Sequence, residues 1–307
     1  MKHQSKIAVI GGSNMDIMGV SSTQLTNADS YEGKVKMSAG GVARNIAENL
    51  ARLNLNVSLC SVMGADDHGE ALWRHNEEVG IDMSTSAYLP DERTSVYLTV
   101  HNLSGELSIA INDMAIMPAL TPEFLMRQQH KLNAANIWVI DTNLSESSID
   151  YLFRQYGDRA VFVDTVSGIK AKRVKKHLNA IHTIKPNRLE AQTLTGMSCD
   201  TRREVETCAQ ALLDKGVQQV VITLDEAGLY YASSTEQGAM DAQSCRVVNT
   251  SGAGDALTSG LVYAHAQGAS LHDACQFAQA CAALTVGVIP TNNPALSISA
   301  IHDLLSS

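Results

Sequence analysis

Six short apolar runs punctuate the chain: KIAVI (6–10), VSLCSV (57–62), NIWVID (136–141), AVFVD (160–164), IHTI (181–184) and VVITL (220–224). Runs so short and so uniformly apolar read as strands covered on both faces. Helical spacing fills much of the chain between them. In 42–53, Val42, Ile46, Leu50 and Leu53 share one face, and 201–215, 253–267 and 270–287 are helical in pattern too. Strands that alternate with helices admit little besides βαβ units, which stack into an α/β fold of three layers with a mostly parallel sheet in the middle. A ligand is then expected beyond the carboxyl ends of the strands.

Two segments interrupt the alternation. Residues 94–111 alternate apolar and polar positions around Leu103-Ser104-Gly105-Glu106, a hairpin signature. Residues 15–38 show no convincing helix. Both follow early strands, so together they are expected to form a small β sheet that covers the site. No repeat, low-complexity segment or linker divides the chain, and the expectation is a single domain over 1–307 with this lid.

Charge narrows the ligands. A net charge of −9 argues against a nucleic-acid surface, which carries a basic stripe. It leaves room for an anion held by backbone N–H groups. The opening MKHQSKIAVIGGSN has a four-residue apolar stretch before glycines, the mark of a first strand rather than a signal peptide, and no run approaches a membrane span. Six cysteines without a C-x-x-C pair read as reduced core thiols. A cytoplasmic, soluble protein with a small-molecule substrate is expected, and neither a nucleic-acid nor a membrane partner.

The usual nucleotide signatures fail. Gly-Lys in YEGKV lacks the P-loop frame, because positions 28 and 35 are Ala28 and Val35. Gly252-x-Gly254 lacks the third glycine of a dinucleotide fingerprint, since position 257 is Leu257. What NTSGAGDAL (249–257) does offer is a glycine turn at a helix start with a carboxylate on it. N–H groups of Gly252, Ala253 and Gly254 would hold a transferring phosphoryl group, and Asp255 beside them would accept a proton from the attacking hydroxyl. The plainer reading makes Asp255 an N-terminal dipole partner.

Four other stretches carry candidates. In GGSNMDIMG, Asp16 with Asn14 near a strand end would bind sugar hydroxyls, unless the pair is an Asx turn. In SAGGVARNIAENL, Gly40-Gly41 would let a polyol approach the backbone, with Asn45 on the first helical turns. In KPNRLEAQTL, Asn187-x-x-Glu190 has capping-box spacing, and Glu190 would otherwise hold Mg²⁺ through waters. In VITLDEAGLYY, Thr223 and Gly228 would line a nucleotide pocket or form a plain hairpin. The histidines show no ligand spacing.

The order of these motifs resembles one family. G-x-N-x-D after the first strand, Gly-Gly…Asn on the next helix, N-x-x-E in the middle and G-A-G-D near the end are similar to the ribokinase-like (PfkB) carbohydrate kinases over essentially the full length. The resemblance implies a Rossmann-like core with a β lid, and ATP as phosphoryl donor to a primary hydroxyl of a sugar or nucleoside. Stretches 27–51, 105–114, 181–196 and 291–298 are similar to a nucleoside-phosphorylating branch. By position the resemblance makes Asp255 the base and Gly252, Ala253 and Gly254 the anion hole. Asp16, Gly41 and Asn45 would contact ribose, with Asn14, Ser30, Asn112 and Asp113 as further pocket candidates. It puts Asn187, Thr223 and Gly228 on the nucleotide side, Glu190 near Mg²⁺ and Asn292 beside adenine, and it implies a homodimer through the lid.

Three departures stand out. Asn249 replaces an Asp that helps relatives hold a monovalent cation, which leaves K⁺ activation open. Asn54 replaces a helix-ending glycine as an acceptable left-handed residue, and Asp225 replaces a glycine of the nucleotide-side turn. A kinase for another nucleoside or sugar, and a non-catalytic sensor on the same fold, remain the alternatives.

Overall fold

A computed structural model of the protein describes residues 5–26 and 29–306. Ala28, invoked above against a P-loop, and Asn27 at the head of the 27–51 stretch lie outside the described residues. The main sheet has eight strands in the order β14-β13-β12-β11-β10-β9-β1-β4. These are β1 (Lys6–Ile10), β4 (Asn56–Cys60), β9 (Ile137–Asp141), β10 (Ala160–Asp164), β11 (Thr183–Lys185), β12 (Gln219–Thr223), β13 (Leu229–Ser233) and β14 (Gln237–Met240). From β4 to β12 all neighbours run parallel, and β13 and β14 add an antiparallel edge. β1 pairs with β4 on one side and β9 on the other, so the winding reverses beside β1. Such a switch point opens a crevice at the carboxyl ends of the strands.

Ten α-helices complete the chain: α1 (Val42–Arg52), α2 (Asp67–Glu78), α3 (Pro122–Leu132), α4 (Glu146–Gln155), α5 (Gly168–Ala171), α6 (Arg188–Thr195), α7 (Arg202–Asp214), α8 (Ala253–Gln267), α9 (Leu271–Val286) and α10 (Ile298–Ser306) among the described residues. Alternate residues of each strand feed different cores. Ile10, Trp138, Ile140 and Val163 pack with α3, α4, α6 and α7, while Val9, Val139 and Phe162 pack with α1, α8 and α9. That is the three-layer α/β arrangement the apolar runs predict. α8 and α9 pack closely, and a Cβ on Gly260 would lie 2.5 Å from Ala278 Cα.

A second sheet holds four strands in the order β3-β2-β7-β8: β2 (Asn14–Ser21), β3 (Gly33–Gly40), β7 (Val96–His101) and β8 (Leu107–Asp113). Its two hairpins are the segments that broke the alternation. The stretch 57–62, read as one strand, is divided: β4 ends at Cys60, and β5 (Val62–Gly64) pairs with β6 (Ala87–Leu89) in a separate small sheet. Ser61 marks the break, its hydroxyl donating to the Gly11 carbonyl at 2.7 Å and its N–H to Ser86 Oγ at 3.0 Å. Five of the six cysteines are buried and all are free; Cys245 is exposed. Asn54 and Asp225 take the left-handed conformation at φ 61° and 55°, so the turns keep a glycine-like shape without glycine.

Candidate active site

Strand ends at the switch point supply the groundwork. Gly11 and Gly12 turn the chain out of β1, and a Cβ on Gly11 would lie 2.3 Å from the Asp141 carboxyl carbon. Asp141 closes β9 and is fully buried. It accepts the N–H groups of Gly12 at 2.8 Å, Ala43 at 3.0 Å and Asn143 at 2.8 Å. One carboxylate thus fastens the turn after β1 to the first turn of α1, a helix whose Gly41 offers no capping side chain. Burial raises its pKa, opposed by the Gly12 and Asn143 donors.

The glycine turn before α8 stands over this crevice. Gly252 has φ 79°, and a Cβ there would lie 2.1 Å from the Thr291 carbonyl oxygen, so conformation and space both require glycine. The N–H groups of Gly252, Gly254 and Asp255 donate to no acceptor among the described residues, while Ala253 N–H makes a long 3.4 Å contact to the Thr250 carbonyl. Unpaired donors at a helix start form an anion site. Asp255 lies in that first turn and is partly accessible. Its Oδ2 accepts Asn45 Nδ2 at 2.7 Å, and its Oδ1 has no hydrogen-bond partner among the described residues. Burial, reinforced by the Asp164 carboxylate, pushes its pKa up to about 7; the Asn45 bond and the Lys185 ammonium pull the other way, and Asp141 adds to the rise.

Asp164 at the end of β10 and Lys185 at the end of β11 form a buried pair, Nζ to Oδ2 3.1 Å. Thr258 Oγ1 and the Val166 N–H donate to the same carboxylate at 2.9 and 3.1 Å. A Cβ on Gly254 would lie 3.1 Å from Lys185 Nζ, so the ammonium sits against the glycine turn. Burial disfavours its charge, but Asp164, Glu190 and Asp255 outweigh that and raise its pKa. A cation and unpaired N–H groups for an anion stand next to a carboxylate poised to take a proton.

The second sheet borders this crevice through Asp16. Asn14 Nδ2 donates to Asp16 Oδ1 at 2.5 Å, both on β2 rather than in a loop turn. Burial raises the Asp16 pKa, opposed by the Asn14 bond, the Arg44 charge and the Thr291 hydroxyl. A Cβ on Gly40 would lie 2.4 Å from the Asp16 carboxyl carbon, and one on Gly41 2.6 Å from the Gly12 carbonyl oxygen. The glycine pair is therefore filled by the protein's own groups. Register pairs Ser38 with Asp16, Asp16 with Tyr97 and Tyr97 with Asn112, one row across one face. Among the described residues, the side chains of Ser38, Tyr97 and Asn112 have no hydrogen-bond partner. Asp113 pairs with Val96 and so points to the opposite face, because neighbours in a strand alternate; the expectation that it joins Asn112 in the pocket is corrected. Ser30 is exposed between β2 and β3, and no contact ties it to Asp16.

Asn187 and Thr223 come together at the ends of neighbouring strands, bridged in parallel. Asn187 and Glu190 form the full capping box: Asn187 Oδ1 accepts the Glu190 N–H at 2.9 Å, and Glu190 Oε2 accepts the Asn187 N–H at 2.8 Å. Glu190, nearly buried, also accepts Thr165 Oγ1 at 2.6 Å. Among the described residues no three His, Cys, Asp or Glu side chains converge on a metal position. Both Glu190 oxygens are engaged, Oε1 by Asn187 Nδ2 at 3.0 Å, so this carboxylate could hold Mg²⁺ only through waters, since direct coordination would break the cap. Gly228 ends the turn after β12 with φ 87° against the Met240 carbonyl. Asn292, expected beside adenine, is instead buried against α1: its Nδ2 donates to the Asn45 carbonyl and to Asn49 Oδ1, each at 2.9 Å, and its Oδ1 accepts Arg44.

Asp141, Asp164, Lys185, Thr291 and Arg44 escaped the sequence reading. The first two carried a signal, a carboxylate ending each of two consecutive apolar strands where ligands collect. Lys185 precedes the Pro of KPN; nothing local marks Arg44 as buried.

The model of the pfkB family carbohydrate kinases matches residues 4–298. The chain is 36% identical over 308 residues to the pseudouridine kinase of Escherichia coli K12, covering 100% of this chain and 98% of that protein. A carbohydrate kinase from Agrobacterium tumefaciens superposes with a TM-score of 0.87 at 27% identity, covering 98% of this chain and 97% of that one. Ribokinase of Arabidopsis thaliana, solved with ribose and ATP, gives a TM-score of 0.87 at 21% identity over 99% of both chains, a likeness of fold.

Proposed function

The chain belongs to the pfkB family of carbohydrate kinases, ATP-dependent enzymes, and from that premise we propose that it transfers the γ-phosphoryl group of ATP to the 5′-hydroxyl of pseudouridine. The products are pseudouridine 5′-phosphate and ADP. The observation that carries the chemistry is the unpaired Oδ1 of Asp255 beside three unpaired backbone N–H groups. Full-length similarity to the E. coli pseudouridine kinase supports the acceptor.

Asp16 holds ribose hydroxyls, and Asn45 holds Asp255. Asp255 takes the 5′-hydroxyl proton as that oxygen bonds to the γ-phosphorus and the bond to the β-γ bridging oxygen breaks, releasing ADP. Gly252, Ala253, Gly254 and Lys185 stabilise the charge in transit. Glu190 would hold, through waters, a Mg²⁺ ion that would neutralise phosphate charge. Asn187, Thr223 and Gly228 border the nucleotide. The four-stranded sheet closes over the acceptor and excludes water.

The outward face of that sheet supports a homodimer: Val35, Met37, Ile109 and Ile111 are 71, 53, 59 and 56% exposed on it. Asn249 donates to the Ile289 carbonyl at 2.8 Å and accepts the Ser251 N–H at 3.0 Å, which supports turnover without K⁺. No described helix is long and apolar enough to cross a membrane, and the proposed setting is the cytoplasm.

The test is ADP release from Mg·ATP with pseudouridine or uridine. Fast release with pseudouridine and little with uridine is the expected result. Turnover only with ribose or another nucleoside removes the acceptor and keeps the kinase, while silence on every acceptor removes catalysis.

A further inference from the structure

Arg44 is a fully buried arginine that the reaction as described does not use. It lies in the first turn of α1, its own N–H donating to the Gly12 carbonyl at 3.2 Å. Its guanidinium spends its donors on three acceptors. Nε and Nη2 both reach Asn45 Oδ1, at 3.2 and 2.6 Å; Nη1 reaches Glu48 Oε2 at 2.6 Å; and Nη2 also reaches Asn292 Oδ1. Glu48 is held in turn by Arg52 at 2.6 Å and His75 at 3.1 Å, so its charge is compensated several times over.

The chemistry of the pair Arg44–Asn45 has a direction. A guanidinium only donates, whereas a side-chain amide has one donating and one accepting end. With Oδ1 claimed twice by Arg44, Nδ2 is the end that remains for Asp255, which it meets at 2.7 Å. Turned over, the amide would present two oxygens to each other across the Asp255 contact and its NH₂ group to the guanidinium, so both contacts would be repulsive. Asn292 fixes the backbone beneath the same residue through the Asn45 carbonyl. We propose that Arg44 is a positioning residue that locks the Asn45 amide in one orientation, so that Asp255 is held by a single donor on Oδ2 and keeps Oδ1 open for the acceptor hydroxyl.

The proposal rests on the reading of Asp255 as proton acceptor, but its test need not. Charged and titratable groups around Asp255 come from four elements: Arg44 on α1, Asp141 on β9, Asp164 on β10 and Lys185 on β11. Removing Arg44 would act on Asp255 through the Asn45 amide or directly through its charge. A double-substitution cycle separates the two routes.

The measurement is the Asp255 carboxyl titration by ¹³C NMR of aspartate-labelled protein, assigned with Asp255→Asn, together with kcat for pseudouridine. It is made in the parent, Arg44→Met, Asn45→Ala and the double variant. Losing a hydrogen bond to a charged group predicts a kcat fall on the order of 10–100-fold in either single variant and an upward-shifted titration. The double variant is expected to match Asn45→Ala. An Arg44→Met effect that persists in full on the Asn45→Ala background, or none on either readout, overturns the proposal. If Arg44→Met does not fold, Arg44→Lys enters the same cycle: it keeps a cation for Glu48 without the fork that claims Oδ1. If the parent does not turn over pseudouridine, or Asp255→Asn retains turnover, the reading of the reaction has failed, and the titration cycle still decides the role of Arg44.

Discussion

At the scale of single residues, Asp255 carries two opposite pH dependences. A carboxyl raised from 3.8 to about 7 binds its proton more tightly when folded. Its contribution to stability is therefore complete below the unfolded value and lost as pH rises through 7. Activity requires the deprotonated form, so kcat/KM should rise with pH through about 7. In Asn45→Ala, which removes a donor to the carboxylate, that limb should move to higher pH. Asp255→Asn should lose at least about 10²-fold in kcat and melt no lower than the parent, since it removes a poorly solvated charge. Near-parental turnover in that variant would end the assignment. Gly40→Ala tests the acceptor pocket in another way. The added carbon would displace the Asp16 carboxylate, and the KM for the acceptor should rise on the order of tenfold or more while the KM for ATP is unchanged.

Elements show how much was legible beforehand. Helix α8 spans Ala253–Gln267, the very range read from spacing, because glycines stand on both sides of it. The break at Ser61 was hidden, since both sides of it are apolar and the cause lies in hydrogen bonds to Gly11 and Ser86. Motif residues were found because turns and caps are local; Thr291 and Lys185 were missed because what they pack against lies far along the chain, and Arg44, whose bonds to Asn45 and Glu48 are local, because only the tertiary packing buries it. The alternative roles offered for Glu190, cap or metal helper, can be parted at this scale. Glu190→Gln keeps the capping box, for which glutamine serves as well, and should hold the melting temperature of α6 and the fold within a few degrees. If the carboxylate holds Mg²⁺ waters, the same variant should need several-fold more Mg²⁺ for half-maximal rate. An unchanged Mg²⁺ profile would leave it a cap alone.

At the scale of the whole molecule, an acid-sensitive cluster lies far from the chemistry, at the opposite ends of the strands. His182 before β11 stacks on Phe162, and His265 at the end of α8 meets both edge-on, the two imidazole centroids 4.4 Å apart. Burial, with His265 beside it, pushes His182 from 6.5 down to about 4. The fold should keep this contribution above 6.5 and lose it as pH falls toward 4. Urea unfolding at pH 7.0 and 4.5 should therefore show a smaller drop in His182→Phe than in the parent, by about 1–2 kcal/mol. Assembly is tested on the outward face of the second sheet: Met37→Glu with Ile111→Lys should shift the sedimentation coefficient from dimer to monomer if that face joins two copies. The inward face of the same sheet has a different meaning for descent. Gly40 and Gly41 are closed to replacement by the groups packed on them, whereas Ser38 and Asn112 in the row beside Asp16 are exposed and Tyr97 is partly so. A lineage could exchange exposed side chains of that row one at a time at little cost to the fold. New acceptors can thus arise by drift along one row of a sheet while the phosphoryl chemistry behind it is inherited unchanged.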